Sequence, residues 1–340
     1  MEQDWPDLNR IALHEEPTVR TRPLKLIVQI PCYNEEQTVA QTIADIPRDI
    51  PGIESVEILI VNDGCVDNTV VNALTAGADH VVSFPGNKGL AAAFAAGLQR
   101  SLELGADIIV NTDADNQYHG ACIPDLVRPI VEGCADMVVG CRPITDHPEF
   151  SWIKKKLQRL GSWVVRQVSQ THVSDATSGF RAYSREAAQR LTVVSPFTYT
   201  HETLIQAGNS NMTVTEVPVG VNRQTRPSRL FRSIPQYIRK SVMTILRIYT
   251  LYQPLTFFFI IGAVLVLASL GIGGRFLYYF LAGAGAGKVQ SLILGAVLGI
   301  IGVQIWVVGI LADLIAANRK ISQEILYQLR RNGGKEHPSP

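Results

Sequence analysis

No two cysteines stand at C-x-x-C spacing, and the five present (Cys32, Cys65, Cys122, Cys134 and Cys141) make an odd number. That argues against a disulfide framework and a thiolate zinc site. They read as reduced residues on the cytosolic side, most of them core. Net charge is nearly absent too, with 31 basic against 30 acidic side chains. A basic nucleic-acid binder and a disordered acidic chain are thereby excluded. The opening residues MEQDWPDLNR lack an apolar run, so no signal peptide is expected there. No G-x-G-x-x-G follows the first predicted strand, and no G-x-x-x-x-G-K-[ST] occurs anywhere. A dinucleotide dehydrogenase and a P-loop NTPase lose their main support.

What is present is uneven. The chain has 340 residues, 46% of them apolar, enough for two or three structural units. Its first 250 residues read as a soluble α/β protein. No charged side chain occurs from Ile248 to Gly274, or again from Val289 to Ala312. A hydrocarbon layer of roughly 30 Å takes about 20 helical residues to cross, so each run is long enough. Basic residues crowd the near side of the first run (Arg223, Arg226, Arg229, Arg232, Arg239, Lys240, Arg247) and follow the second (Arg319, Lys320, Arg330, Arg331). The loop between them carries only Lys288, while Arg275 can snorkel outward. The positive-inside bias then predicts a two-span protein of the cytoplasmic membrane, with both termini and the soluble part cytosolic.

In the soluble part, strand, polar turn and helix repeat. Predicted strands at Leu24–Ile30, Val56–Val61, His80–Phe84, Ile108–Thr112 and Met137–Gly140 end in polar turns. This is the pattern of a doubly wound, mostly parallel sheet. Ligands bind such sheets beyond the carboxyl ends of the strands, where these turns converge. Asp113-Ala-Asp115 carries the most chemistry. Two carboxylates at i and i+2 can reach one hard divalent cation, Mg²⁺ or Mn²⁺, with diphosphate oxygens as further ligands. A lone D-x-D can equally be an acidic turn cap; the neighbouring polar turns favour metal and nucleotide.

These motifs resemble a family 2 glycosyltransferase of GT-A fold. They are Ile30-Pro-Cys-Tyr-Asn-Glu35, Val61-Asn-Asp-Gly64 with Asp67-Asn-Thr69, Asn87-Lys-Gly89 and Asp113-Ala-Asp-Asn-Gln117. Thr177-Ser-Gly-Phe-Arg181 and Arg223-x4-Ser228-Arg229 narrow the resemblance to polyprenyl-phosphate glycosyltransferases such as dolichol-phosphate mannose synthases. The likeness covers residues 25–230. It implies that Pro31, Tyr33, Glu35, Asn62, Asp63, Asn87, Gly89, Asp113 and Ala114 surround the nucleotide sugar. Asp113, Asp115 and Gln117 would hold the metal, and Asp113, Asp115 and Arg181 would be catalytic. Arg159, Ser178, Arg181, Arg223 and Arg229 would meet the acceptor phosphate. Three positions depart from the family pattern. Asn62 replaces the first Asp of a D-D-G turn, Cys65 replaces Ser, and Arg226 stands where R-x-x-G-x-S-K has Gly.

The implied organisation is a flexible segment 1–22, a GT-A domain 23–229 and amphipathic juxtamembrane helices 230–252. Spans 253–282 and 289–317 follow, then a basic tail 318–340 that continues the second helix briefly and frays. The implied partners are a UDP- or GDP-hexose, a polyprenyl phosphate and the bilayer, with no nucleic acid; a homo-oligomer stays open. His201-Glu202 reads as a structural contact, because a phosphate acceptor needs no general base. A processive synthase of the same fold would carry Q-x-x-R-W, and Gln236-Tyr-Ile-Arg239-Lys240 lacks the tryptophan. A non-catalytic nucleotide-sugar sensor is the remaining alternative.

Overall fold

The computed structural model describes residues 23–142, 173–193, 199–222, 250–283 and 289–333, with positions 166, 169, 171, 243, 246 and 247. Arg159, Arg223, Arg229, the segment 1–22 and most of the stretch 230–252 lie outside the described residues.

The first strand, β1 (Leu24–Cys32), is apolar almost throughout and buried on both faces, as a central parallel strand must be. It pairs in parallel with β2 (Ile53–Asn62) on one side and β4 (Ile108–Asn111) on the other. β3 (His80–Ser83) extends the β2 side. Beyond β4 the sheet continues through β6 (Arg181–Ser184), β5 (Met137–Cys141) and β7 (Val214–Pro218), giving the order β3-β2-β1-β4-β6-β5-β7. β5 and β7 pair in parallel, while β6 runs antiparallel to both β4 and β5. The sheet is therefore mostly parallel, as expected, with one reversed strand that the sequence reading did not separate from its motif.

Alternation along the strands sends side chains into two cores. Leu26, Val28 and Ile30 face α1 (Val39–Ala44), α2 (Thr69–Thr75) and α4 (Ile123–Val131). Ile27, Leu59, Val61 and Ile109 face α3 (Leu90–Glu103), α5 (Arg185–Arg190) and α6 (Tyr199–Asn209). Because β1 connects to β2 on one side while its other neighbour, β4, is reached from β3, a crevice opens between the carboxyl ends of β1 and β4. That switch point is where α/β sheets take ligands.

Two long helices complete the described chain, α7 (Pro254–Leu281) and α8 (Val289–Gly333). Both are long and apolar enough to cross a membrane, and little of either apolar stretch is buried in the protein. That exposure sets them apart from core helices of a soluble fold. They pack antiparallel through small residues: Gly262 lies against Trp306 and Gly302, and Gly299 against Ser269. Trp306 stacks on Phe259 at 4.9 Å, and its Nε1 donates to the Phe259 carbonyl at 3.1 Å. A Cβ added at Gly302 would meet Val266 Cγ2 at 2.7 Å and the Gly262 carbonyl at 3.0 Å. Gly302→Leu should force the helices apart at a cost of about 1–3 kcal/mol. Thermal unfolding of the full chain in detergent checks this, and an unchanged midpoint would refute the packing.

The tail departs from expectation. Instead of fraying soon after the span, α8 continues to Gly333. Its last turns dock on the globular domain: Tyr327 is buried, with the Arg190 guanidinium 4.2 Å over its ring. Arg330 donates to the carbonyls of Gln189 (3.1 Å) and Leu191 (2.9 Å). The globular domain thus sits at the same end of the hairpin as the end of α8.

Candidate active site

The turn after β1 is zipped to the turn after β2. The Asn34 amide donates to Cys65 Sγ, and Asn34 Oδ1 accepts from the Val66 amide at 3.0 Å. The Glu35 amide donates to Thr69 Oγ1 at 2.8 Å. Pro31 is buried in the strand, and Tyr33 stands exposed at the rim. Asn62 accepts from the Cys65 amide at 2.7 Å and donates to Ser83, which closes its own turn. At Gly64 (φ +75°) an added Cβ would lie 2.5 Å from the Gly86 carbonyl carbon, so both conformation and space require glycine.

Asp63 is placed differently from the sequence reading. It is only 3% exposed, and its two oxygens accept the amides of Lys88 (2.7 Å) and Gly89 (2.9 Å). It shapes the loop that carries Asn87 and opens α3, so Asn87 and Lys88 are the exposed groups there.

The β4 turn is tied to the same rim. Thr38 and Thr42 hydroxyls donate to the Ala114 carbonyl at 2.8 and 3.2 Å. Asp115 Oδ1 accepts from the Gln117 amide at 3.1 Å, and Asn116 adopts φ 54°. Residues 220–222 sew the far side: the Asn222 amide donates to the Gln117 carbonyl, and Asn222 Nδ2 to the Asn116 carbonyl. Asp113 sits partly enclosed beneath this turn. Burial, then the neighbouring Asp115 charge, push its carboxyl up to about 7, with Glu35 adding and Arg142 opposing. A second carboxylate beside a half-buried one is the environment that a cation relieves.

Arg142, just past β5, went unnoticed in the sequence although the rim argument covers it. Its Nε and Nη2 grip the Asp175 carboxylate at 2.7 and 3.2 Å, and Nη2 also donates to Thr177 Oγ1 at 2.9 Å. Burial raises the Asp175 carboxyl, but the Arg142 charge and these hydrogen bonds bring it below its ordinary value. The guanidinium lies 5.9 Å from the Tyr118 ring and within electrostatic range of Asp113. Tyr118 in turn stacks on Phe180 at 5.0 Å.

Ser178 and Arg181 do not reach this rim. Both are fully buried. The Arg181 guanidinium donates to the carbonyls of Ala176, Ser178 and Thr200 and to Thr203 Oγ1, at 2.6–2.9 Å. Its donors are committed inside the protein, so a direct contact with an acceptor phosphate is replaced by a positioning role. It fixes the loop whose Gly179 lies against Asp113: a Cβ there would come within 3.3 Å of that carboxylate. Asn111 joins the same scaffold, donating to the Gly179 carbonyl at 2.8 Å and to Tyr199 Oη at 3.1 Å. His201 is held neutral, its pKa pushed down to about 4 by burial and the Arg181 charge.

The comparisons with known proteins agree with this geometry. The glycosyl transferase family 2 profile matches residues 27–192. The UDP-N-acetylglucosamine–dolichyl-phosphate N-acetylglucosaminyltransferase of Methanococcus voltae is 30% identical over 212 residues, 56% of this chain and 82% of that one. The chain is a family 2 glycosyltransferase. The undecaprenyl-phosphate mannosyltransferase of Micrococcus luteus is 29% identical, covering 49% of this chain and 70% of its own. The glucosyl-3-phosphoglycerate synthase of Mycobacterium tuberculosis, solved with Mg²⁺ and UDP, shares the GT-A fold. Its TM-score is 0.51 at 22% identity, over 65% of this chain and 79% of that one.

The raised Asp113 carboxyl gives this glycosyltransferase a testable pH dependence. Without metal, the folded protein holds a proton between the unfolded value of 3.8 and about 7. Folding therefore binds protons in that window, and this group's contribution to stability falls as pH rises through it. In chelator, the difference in thermal midpoint between wild type and Asp113→Asn should change across pH 4–7 with that sign. Parallel curves would show that Asp113 does not titrate there.

Proposed function

We propose that this glycosyltransferase moves a hexose from a UDP- or GDP-hexose to a polyprenyl phosphate in the cytoplasmic membrane, with a divalent ion and inversion at the sugar carbon. One observation carries the reading. A rim pairing Asp113 and Asp115 with the Arg142 cation belongs to a domain docked onto two exposed helices of membrane-spanning length. The names of the relatives, which act on dolichyl and undecaprenyl phosphates, support it.

The donor set fits Mg²⁺ or Mn²⁺. Asp113 and Asp115 are hard oxygen ligands, and such ions commonly take one or two carboxylates with substrate phosphates completing the shell. Among the described residues, no group of three His, Cys, Asp or Glu side chains forms a closed cage. The pair is therefore suited to an ion that arrives with, or is completed by, the donor diphosphate, and Gln117 stands beside it. When bound, that ion supplies Lewis-acid stabilisation of the charge on the leaving diphosphate.

The chain's own residues do the rest. Tyr33 and the Asn87 loop border the nucleotide, while Glu35 and Ala114 anchor the turns between them. A lipid phosphate oxygen attacks the anomeric carbon as the bond to the diphosphate breaks; the acceptor is already anionic and gives up no proton to a base. Arg142 aligns the incoming phosphate and offsets repulsion between two anions, and its fork is fixed by Asp175. Arg159, Arg223 and Arg229 are proposed to join it.

Arg142→Ala should lower transfer about ten- to a hundredfold, the worth of one charge-assisted contact, with donor binding nearly unchanged. Arg142→Lys should recover part of the rate. Adding Asp175→Asn to Arg142→Ala removes the stranded carboxylate and separates misfolding from lost alignment. The decisive assay offers the full chain polyprenyl phosphate, Mg²⁺ or Mn²⁺ and labelled UDP- and GDP-sugars. Label appearing only in free saccharide, never in lipid phosphate, would overturn the reading.

A further inference from the structure

On the face of the domain that carries α5 and α6, a cavity of about 180 Å³ opens where the globular part meets the hairpin. Arg190 and Gln206 line it from the domain, Tyr252 from the residues just before α7, and Arg319, Lys320 and Glu324 from α8. Arg190, Arg319 and Lys320 are its cations and Glu324 its carboxylate, with the Glu202 charge acting on Tyr252 from the domain side. The Arg190 cation is already paired with Glu186 at 3.0 Å, and Glu324 accepts from Gln328. Arg319 lies with its guanidinium 4.4 Å over the Tyr252 ring, and its Nη2 reaches the Leu251 carbonyl at 3.5 Å. Its Nε is shielded from solvent and makes no hydrogen bond, while the Tyr252 hydroxyl lies within reach of Gln206 and Arg319. A shielded donor on Arg319 beside the Lys320 charge is a condition under which an anion is taken up.

The depth of the cavity says which anion. Tyr252 precedes the first residue of α7 by two positions, and Arg319 follows the apolar run Leu314-Ile-Ala-Ala317 by two. The cavity thus lies level with the ends of both apolar helices, and in a bilayer that level is the headgroup layer. Tyrosine and arginine at such a boundary, with a polar tip and an apolar stem, are matched to it. We propose that this cavity binds the phosphate of an anionic phospholipid, which seats the domain on the membrane at a site separate from the catalytic rim. The proposal rests on α7 and α8 spanning the membrane.

The test uses the full chain in detergent, titrated with phosphatidylglycerol or phosphatidylcholine and read by native mass spectrometry. Wild type should retain phosphatidylglycerol about tenfold more tightly, and Arg319→Gln with Lys320→Gln should abolish that preference. Transfer to a short-chain, detergent-soluble acceptor should be unchanged in the variant, which shows that it is folded. An equal preference in both proteins overturns the site. Displacement of the lipid by matched concentrations of inorganic phosphate or glycerol phosphate overturns the lipid as its source. Alkaline carbonate extraction keeps the two readings apart. Release of the chain would sink the spans, whereas retention without a phosphatidylglycerol preference would sink the headgroup site alone.

Discussion

Asp115→Ala should cut sugar transfer by about a hundred- to a thousandfold while leaving the protein folded. Asp115 is partly exposed at the end of β4, and its carboxylate accepts the Gln117 amide two residues on. Losing that turn contact should cost about 1 kcal/mol or less of stability. On the proposed reading, losing one of the two carboxylates that hold the ion at the leaving diphosphate removes stabilisation made mainly in the transition state. Comparable preorganised groups are worth about 3–4 kcal/mol, so the rate should fall about a hundred- to a thousandfold. Turnover, donor affinity and the thermal midpoint should be measured together. Wild-type turnover, or activity indifferent to EDTA, would remove the metal from the reading.

Arg181→Ala should fail in the opposite way. The guanidinium is enclosed and satisfies three carbonyls and the Thr203 hydroxyl. Alanine would leave those acceptors buried and unpaired, along with a cavity, at about 3–5 kcal/mol. The loss should appear as low yield and a lowered midpoint. Arg181→Lys should not restore it, because a single ammonium cannot serve four divergent acceptors. A folded Arg181→Ala protein with intact donor binding and a selective defect toward lipid phosphate would return this arginine to the acceptor site.

The contrast between these residues marks what the chain discloses as text. Strand, turn and helix followed one another in a legible rhythm, and their polar turns named the edge that holds the crevice. Asp113 and Asp115 were readable because a strand end fixes their exposure. Arg181 was not, because burial of an arginine depends on carbonyls from Ala176 and Thr200, which no motif spacing encodes. Asp63 looked like a ligand residue for the same reason, since its partners are amides of a distant loop. Arg142 was missed although it follows a predicted strand directly, and the convergence of turns would have found it had the fifth been weighed like the other four. β6 was hidden because four residues between two antiparallel neighbours carry no periodicity of their own. The length of α8 depended on Tyr327 and Arg330 finding partners on α5 and the residues just after it, a tertiary event.

That unbroken helix has a mechanical consequence. Forty-five residues make a rod of roughly 68 Å, more than twice the hydrocarbon thickness of a bilayer. Its far end is clamped to the domain by Tyr327 and Arg330. A bilayer too thin or too thick for the apolar segment is accommodated by helix tilt. On the proposed spanning of the bilayer by α8, the clamped rod would act as a lever arm, each degree of tilt swinging the Asp113–Asp115 crevice nearer to or farther from the lipid surface. The rate on embedded acceptor would then become a gauge of bilayer thickness, whereas the rate on a detergent-dispersed acceptor would not.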